Sequence, residues 1–159
     1  MNNVLVREST MQDAIDMAPH LRCDDLMELH ASLGSDVDVA EVLSAGISYS
    51  DDPRTVLLDG APIAIFGVVD TEEECPTVGN VWLLGTPGIQ DISYEFLRGC
   101  THHLSEQAIN YEVLTNFVDK RNTVHIRWLQ WLGFTMIREE QEHGVEKRPF
   151  YEFARVAVN

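Results

Sequence analysis

A chain of 159 residues, 45% of them hydrophobic and with a mean hydropathy of −0.11, has the composition of an ordinary folded globule and enough length for a sizeable core. Its 26 carboxylates against 11 lysines and arginines leave a net charge of −15, a field that repels nucleic-acid phosphate and suits cationic partners. No apolar run approaches the roughly 20 residues needed to cross a bilayer, and Met1 to Arg7 lacks the apolar core of a signal peptide, so a cytoplasmic protein with neither nucleic-acid nor membrane partner is expected.

Val4 to Glu8 reads as a first strand. Ser9-Thr10-Met11-Gln12 has capping-box spacing with Ser9 at the N-cap, and Met11, Ile15, Ala18 and Leu21 follow at helical intervals. A second, acidic helix is predicted over Asp24 to Leu33, stopping at Gly34, and Asp36 or Asp38 caps a short third one that runs to about Ala45. Arg54 to Leu58 and Ala61 to Val69 flank Asp59-Gly60, a strong hairpin signal. The acidic tip Asp70 to Glu74, with Cys75-Pro76, leads into a strand over Val78 to Leu84. Its run Val81-Trp82-Leu83-Leu84 lacks alternation, as burial on both faces requires.

From about Gln90 to Asn110, the residues Ile92, Phe96, Cys100, Leu104 and Ala108 recur every fourth position, the stripe of a long amphipathic helix. Val113 to Val118 is extended and ends in a charged turn. Asn122 then caps a short amphipathic helix that stops at Gly133, and Phe134 to Ile137 and Pro149 to Val158 are the last two strands. With no repeat, low-complexity tract or linker, residues 1–159 read as a single domain in the order β-α-α-β-β-β-α-β-α-β-β. Charge divides unevenly: residues 1–80 carry sixteen carboxylates against three arginines, whereas residues 81–159 carry ten against eight basic residues. An anionic cofactor is tolerated better by the second half.

The stretch Asn116 to Phe134, a strand, a charged turn, a short helix, Gly-Phe and a further strand, resembles the last βαβ unit of the GNAT acyltransferase superfamily. Asn122 and Gly133-Phe134 stand at the family separation, while Leu129 occupies the family's tyrosine position. The order of elements is similar to GNAT proteins over nearly the whole chain. The resemblance implies an α/β (α+β) fold, a central mixed, mostly antiparallel sheet flanked by helices. It also implies acetyl-CoA as cofactor and transfer of its acetyl group to an amine, such as a lysine of a basic protein.

In that family acetyl-CoA lies where the fourth and fifth strands splay apart. The fourth strand pairs with its pantetheine arm and the following loop wraps its pyrophosphate. Carried over, the cofactor-binding residues are Trp82, Leu83, Leu84, Gly85, Thr86, Gly88, Ile89 and Asn122. Gly85 and Gly88 permit a close, amide-rich turn ahead of a helix, although the basic or amide residue at the loop's head and the second family glycine are missing, Pro87 lacks a donor and Asp91 adds negative charge. The same glycines serve equally well in a plain strand-to-helix turn, and Asn122 equally well as an N-cap.

Leu129 cannot protonate a departing thiolate. Tyr94, His102, His103, Tyr111 and His125 are the nearby substitutes, and Asp70 or Glu112 could act as base; spacing selects none of them, so the catalytic residues are left open. A well-positioned amine can attack a thioester with little such help. His102 and His103, roughly 100° apart on a helix, make no metal site with any paired ligand. Cys100 belongs to the apolar stripe as a buried thiol, possible partner of His103 notwithstanding, and Cys23, Cys75 and Cys100 read as free thiols. Trp82, Trp128 and Trp131 read as packing residues.

Val81-Trp82-Leu83-Leu84-Gly85-Thr86, its degenerate loop and the opening Val6 to Ala14 look like a small group of GNAT-like proteins encoded by tailed phages, of the internal virion protein A kind. That likeness implies a phage-encoded protein located in the host cytoplasm or the virion. Alongside the acetyltransferase stands an alternative: a GNAT-fold protein without chemistry that binds virion or host partners through its acidic surface.

Overall fold

The computed structural model describes residues 3–71 and 77–156, leaving out the side chains at 93–95 and 97–98. The acidic tip at 72–76, with Cys75, lies outside the described residues, as does the Tyr94 side chain. Strands β1 (Val4–Glu8), β2 (Arg54–Leu58), β3 (Ala61–Asp70), β4 (Val78–Gly85), β5 (Val113–Asp119), β6 (Thr135–His143) and β7 (Arg148–Val156) form one sheet in the order β1-β2-β3-β4-β5-β7-β6. Every neighbouring pair is antiparallel except β4–β5, which is parallel. Helices α1 (Met11–Met17), α2 (Cys23–Leu33) and α3 (Val39–Tyr49) follow β1, and α4 (Ser93–Gln107) and α5 (Thr123–Trp131) bracket β5.

Side-chain alternation along β3 and β4 builds two cores. Phe66, Val81 and Leu83 face α4 and α5, where they meet Phe96, Cys100, Leu104, Trp128 and Leu129. Ile65 and Leu84 face the other way, onto Ala14 and Met17 of α1 and Leu43 and Ile47 of α3, with Trp82 packed against them. The unbroken apolar run of β4 is thus buried on both faces, as its lack of alternation predicts. The whole four-residue stripe from Ile92 to Ala108 is buried. No helix among the described residues is long and apolar enough to cross a membrane.

Local structure departs from the sequence reading in a few places, each for a physical reason. The capping box stands one residue later, on Thr10 and Asp13, because the Asp13 carboxylate also binds Arg7 and Thr55, tying α1 to β1 and β2. Helix α3 passes Ala45 and reaches Tyr49. Gly46 would ordinarily weaken a helix interior, but a Cβ there would stand 2.9 Å from the Trp82 ring, so its bareness is what lets the helix lie on the sheet. A 3-10 turn, Pro87–Asp91, precedes α4. Strand β6 extends to His143 and is held by the ion pairs Arg138–Glu152 and Lys120–Glu139, which leave no apolar alternation to read. At the β2–β3 hairpin Asp59 and Gly60 both have positive φ, 50° and 88°, as a two-residue turn of this hand demands.

Asp13 makes stability acid-sensitive. Burial alone would raise its carboxyl; hydrogen bonds from Arg7, Thr10 and Thr55 outweigh that and hold it below the ordinary 3.8. The unfolded chain therefore binds the proton first. This stabilisation is complete above 3.8 and is lost as pH falls through the lower folded-state value. Thermal unfolding followed from about pH 6 to about pH 2 should show a decline in the acid range that Asp13→Asn flattens. A variant whose decline parallels the parent's would contradict the assignment.

Candidate active site

Strands β4 and β5 pair only at Val78–Val113, Gly79–Leu114 and Asn80–Thr115. Beyond them the strands part, and side chains replace the missing ladder. Arg22, Asp25 and Glu28 recur every third residue and so share one face of the α2 region. Asn122 and His125 stand at the same spacing at the start of α5, and the two sets meet in the gap.

Asp25 accepts from Arg22 Nη1 at 2.8 Å, from Asn122 Nδ2 at 2.8 Å and from the Gly85 amide at 2.9 Å. The Arg22 amide in turn donates to the Gly85 carbonyl at 2.8 Å. Glu28 Oε1 accepts from the Asp119 amide at 2.6 Å, and Glu28 Oε2 lies 3.5 Å from His125 Nδ1. His125 Nε2 is 2.9 Å from the Asn116 side-chain amide. All of these residues are buried. A buried polar group is tolerated when its partners are present, and His125 Nδ1 is the fully buried side-chain atom of this set without a hydrogen-bond partner.

Two cavities flank the gap. The first, of about 490 Å³, opens on the α2–α3 side and is lined by Glu28, Tyr49, Asp70, Asn80, Trp82 and His125 among others. The second, of about 410 Å³, lies on the α4–α5 side against Ile89, Phe96, Val124, Arg127 and Trp128. Leu83 lines both. The point where β4 and β5 separate is therefore reached from each face of the sheet.

Of the expected cofactor residues, Leu83 and Ile89 line the second cavity, whereas Trp82 and Leu84 line the first. Trp82 Nε1 donates to Ser50 Oγ at 2.9 Å. The amides of Gly85, Thr86, Gly88 and Ile89 donate respectively to Asp25, Ile63 O, Thr86 Oγ1 and Thr86 O. A Cβ at Gly88 would stand 2.9 Å from Ile63 Cγ2, so this glycine makes room for strand packing. Asn122 caps α5 by accepting from the His125 amide, and it is fully buried between Arg22 and Asp25. Leu129, one turn beyond His125, is buried in the core.

Of the proton-transfer residues considered, the structure brings His125 and Asp70 to the first cavity. The Tyr111 hydroxyl donates to Asp70 at 2.7 Å; burial first, then Asp70, pushes that hydroxyl well above its ordinary range. Glu112 lines a separate cavity at the other end of β5. His102 lies exposed on α4 with Glu106 beside it. Burial lowers the pKa of His103, and Arg54 adds to the effect. Burial also pushes the Cys100 thiol far up, so it is an inert core group. Arg22, Asp25, Glu28 and Asn116 carry no site role in the sequence reading; the i, i+3 series Arg22, Asp25, Glu28 is the one visible signal of the first three, and Asn116 on β5 has none. Asp25, Glu28 and His125 bring ligand atoms within 4.8 Å of one another, but Asp25 already accepts three hydrogen bonds and the Arg22 guanidinium supplies the positive charge there.

No protein-family model and no curated protein sequence matches the chain. Solved structures do. The protein yncA of Salmonella typhimurium, solved with its cofactor acetyl-CoA, superposes with a TM-score of 0.73 at 13% identity over 98% of this chain and 95% of its own. A GNAT-family acetyltransferase from Bacillus anthracis gives 0.71 at 13% identity, over 97% and 95%. AAC(6')-Ib, in complex with ribostamycin and coenzyme A, gives 0.70 at 15% identity, over 97% and 93%. At these identities the likeness is one of fold: the chain has the GNAT fold, a seven-stranded, mostly antiparallel mixed sheet flanked by helices.

Proposed function

We propose that this single-domain protein is an acetyl-CoA-dependent N-acetyltransferase that takes the cofactor in the second cavity and an amine in the first. The observation that carries the proposal is the pair of cavities on opposite faces of the sheet, both reaching Leu83 where β4 and β5 part. A thioester entering from one face and a nucleophile entering from the other would meet there, which is the positioning that such a transfer requires.

The residues present fit these ligands. The Gly85 amide and carbonyl point away from β3, toward Asp25 and Arg22, so strand alternation directs those of Leu83 into the same gap, where an amide-bearing arm can pair. Arg127 and the first turn of α5 supply positive charge for an anionic group. Bound there, acetyl-CoA would supply an activated acyl carbon. The charged residues lining the first cavity are Glu28 and Asp70, both carboxylates, and with Tyr49 and Trp82 they suit a cationic amine on an apolar stem. The acidic first half of the chain extends that preference to a lysine on a basic protein. The likeness to tailed-phage proteins supports a phage-encoded enzyme working in the host cytoplasm.

A second reading, a GNAT-fold protein that binds virion or host partners without chemistry, is favoured by Leu129 and by the engagement of the Gly85 to Ile89 amides within the fold. Isothermal titration with acetyl-CoA and with CoA decides between them. Micromolar binding of both is expected. No binding at millimolar cofactor would overturn the enzyme reading.

A further inference from the structure

We propose that the protein reads its donor through the acyl-phosphopantetheine arm alone, with Arg127 holding the phosphate at the far end of that arm. The adenosine half of CoA then adds little, and an acyl-phosphopantetheine is held about as firmly as the acyl-CoA built on it. The inference rests on the proposed acetyl transfer and names the part of the donor that this chain recognises.

The loop after β4, where a phosphate cradle is expected from the sequence, has its donors committed. The Gly85 amide donates to Asp25 at 2.9 Å, and the Thr86 amide to Ile63 O at 2.8 Å. The Gly88 and Ile89 amides both turn back onto Thr86, at 3.2 and 3.1 Å, and Pro87 has no amide hydrogen. A phosphate would win each of these donors only by breaking a bond already made, so the exchange gains little. It would also meet the Asp25 carboxylate, and Ile63 fills the space beside Gly88. The 3-10 turn Pro87–Asp91 sets α4 back from the strand, and the exposed Asp91 puts a negative charge at the end of α4 whose dipole favours anions.

The second cavity offers a different set of contacts. Leu83, Ile89, Phe96, Val124 and Trp128 give it an apolar wall, and Arg127 is the charged residue that lines it. Val124, Arg127 and Trp128 stand at i, i+3 and i+4, so one face of α5 brings all three to the cavity. Arg127 is exposed, and no group among the described residues pairs with its guanidinium. A phosphopantetheine arm brings methyl groups for the apolar wall, amides for the Leu83 backbone and one phosphate for Arg127. The two further phosphates of CoA find no second cation among the described residues that line this cavity.

The test is titration calorimetry of the whole protein with CoA, dephospho-CoA, phosphopantetheine and pantetheine, for the parent and for Arg127→Gln. Arg127 is exposed, so its replacement leaves the fold intact, which circular dichroism verifies. We expect the first three ligands to bind the parent within about tenfold of one another. Pantetheine should bind about threefold more weakly than phosphopantetheine, the size of one solvent-exposed charge pair. Arg127→Gln should erase that difference and leave pantetheine affinity unchanged, and high salt should do the same to the parent. CoA binding more than about tenfold tighter than phosphopantetheine, or an Arg127→Gln variant that keeps the contribution of the phosphate, would overturn the inference and leave the cofactor site standing. A parent that binds none of the four ligands would overturn the proposed function itself.

Discussion

Replacing Asp25 by alanine is expected to destabilise the fold by about 3–5 kcal/mol, the range for breaking a buried ion pair from one side. Asp25 and Arg22 are 2% and 5% exposed, so neither is screened by water. Removing the carboxylate leaves the guanidinium only its long contacts with Asp24 at 3.5 Å and Asn122 at 3.4 Å, and leaves the Gly85 amide and the Asn122 amide nitrogen without their acceptor. Each stranded donor adds its own desolvation penalty. These groups also pin the end of β4 to α2 where β5 no longer pairs with it, so the loss falls where β4 keeps a ladder on its β3 side alone. Urea denaturation gives the value directly. The double replacement Arg22→Met with Asp25→Leu should recover much of it, because no buried charge is then left alone. A loss below about 1 kcal/mol for Asp25→Ala would mean that the pair behaves as a solvated surface bridge.

Val124→Trp is expected to weaken acetyl-CoA binding by more than about 100-fold, close to 3 kcal/mol of lost contact. Val124 is half-buried in the first turn of α5 and lines the cavity assigned to the cofactor. An indole there would occupy much of the space between α5 and Ile89 without entering the core formed by Trp128 and Leu129. Its effect is therefore on binding, with thermal stability nearly unchanged. Titration calorimetry measures it, and Ile109→Trp serves as control, since Ile109 is exposed and lines the separate cavity before β5. Equal affinity in parent and Val124→Trp would place the cofactor elsewhere. Substitution at Gly88 is a poorer probe, because Ile63 fills the space a side chain would need and the fold would respond first.

Local signals explain why so many elements were legible. Val4 to Glu8, the Asp59-Gly60 turn, the Ile92 to Ala108 stripe and the Asn122 cap are each determined by residues a few positions apart, and each stands where periodicity or turn chemistry puts it. Helix α3 runs past Ala45 to Tyr49 because Gly46, a poor helix residue, is where Trp82 lies against it, a contact the local sequence does not contain. Strand β6 was shortened because its outer half is charged and paired through ions rather than through an apolar face.

The candidate site is a different matter. Leu83 and Ile89 could be found from the fold resemblance, since a strand followed by a helix carries them to the gap wherever that fold is adopted. Glu28 could not. On its own helix it is one acid among several, and what distinguishes it is His125, 97 positions away along the chain and 3.5 Å away in space. By itself, then, the sequence determined the secondary elements, their order and hence the fold, because period, caps and turns are properties of neighbouring residues. Which acids are buried, which histidine faces a carboxylate, and that both cavities converge on Leu83 were decided only when β4 and β5 parted and α2 met α5 across the gap. Burial and proximity are properties of residues distant in sequence, and the local pattern does not contain them.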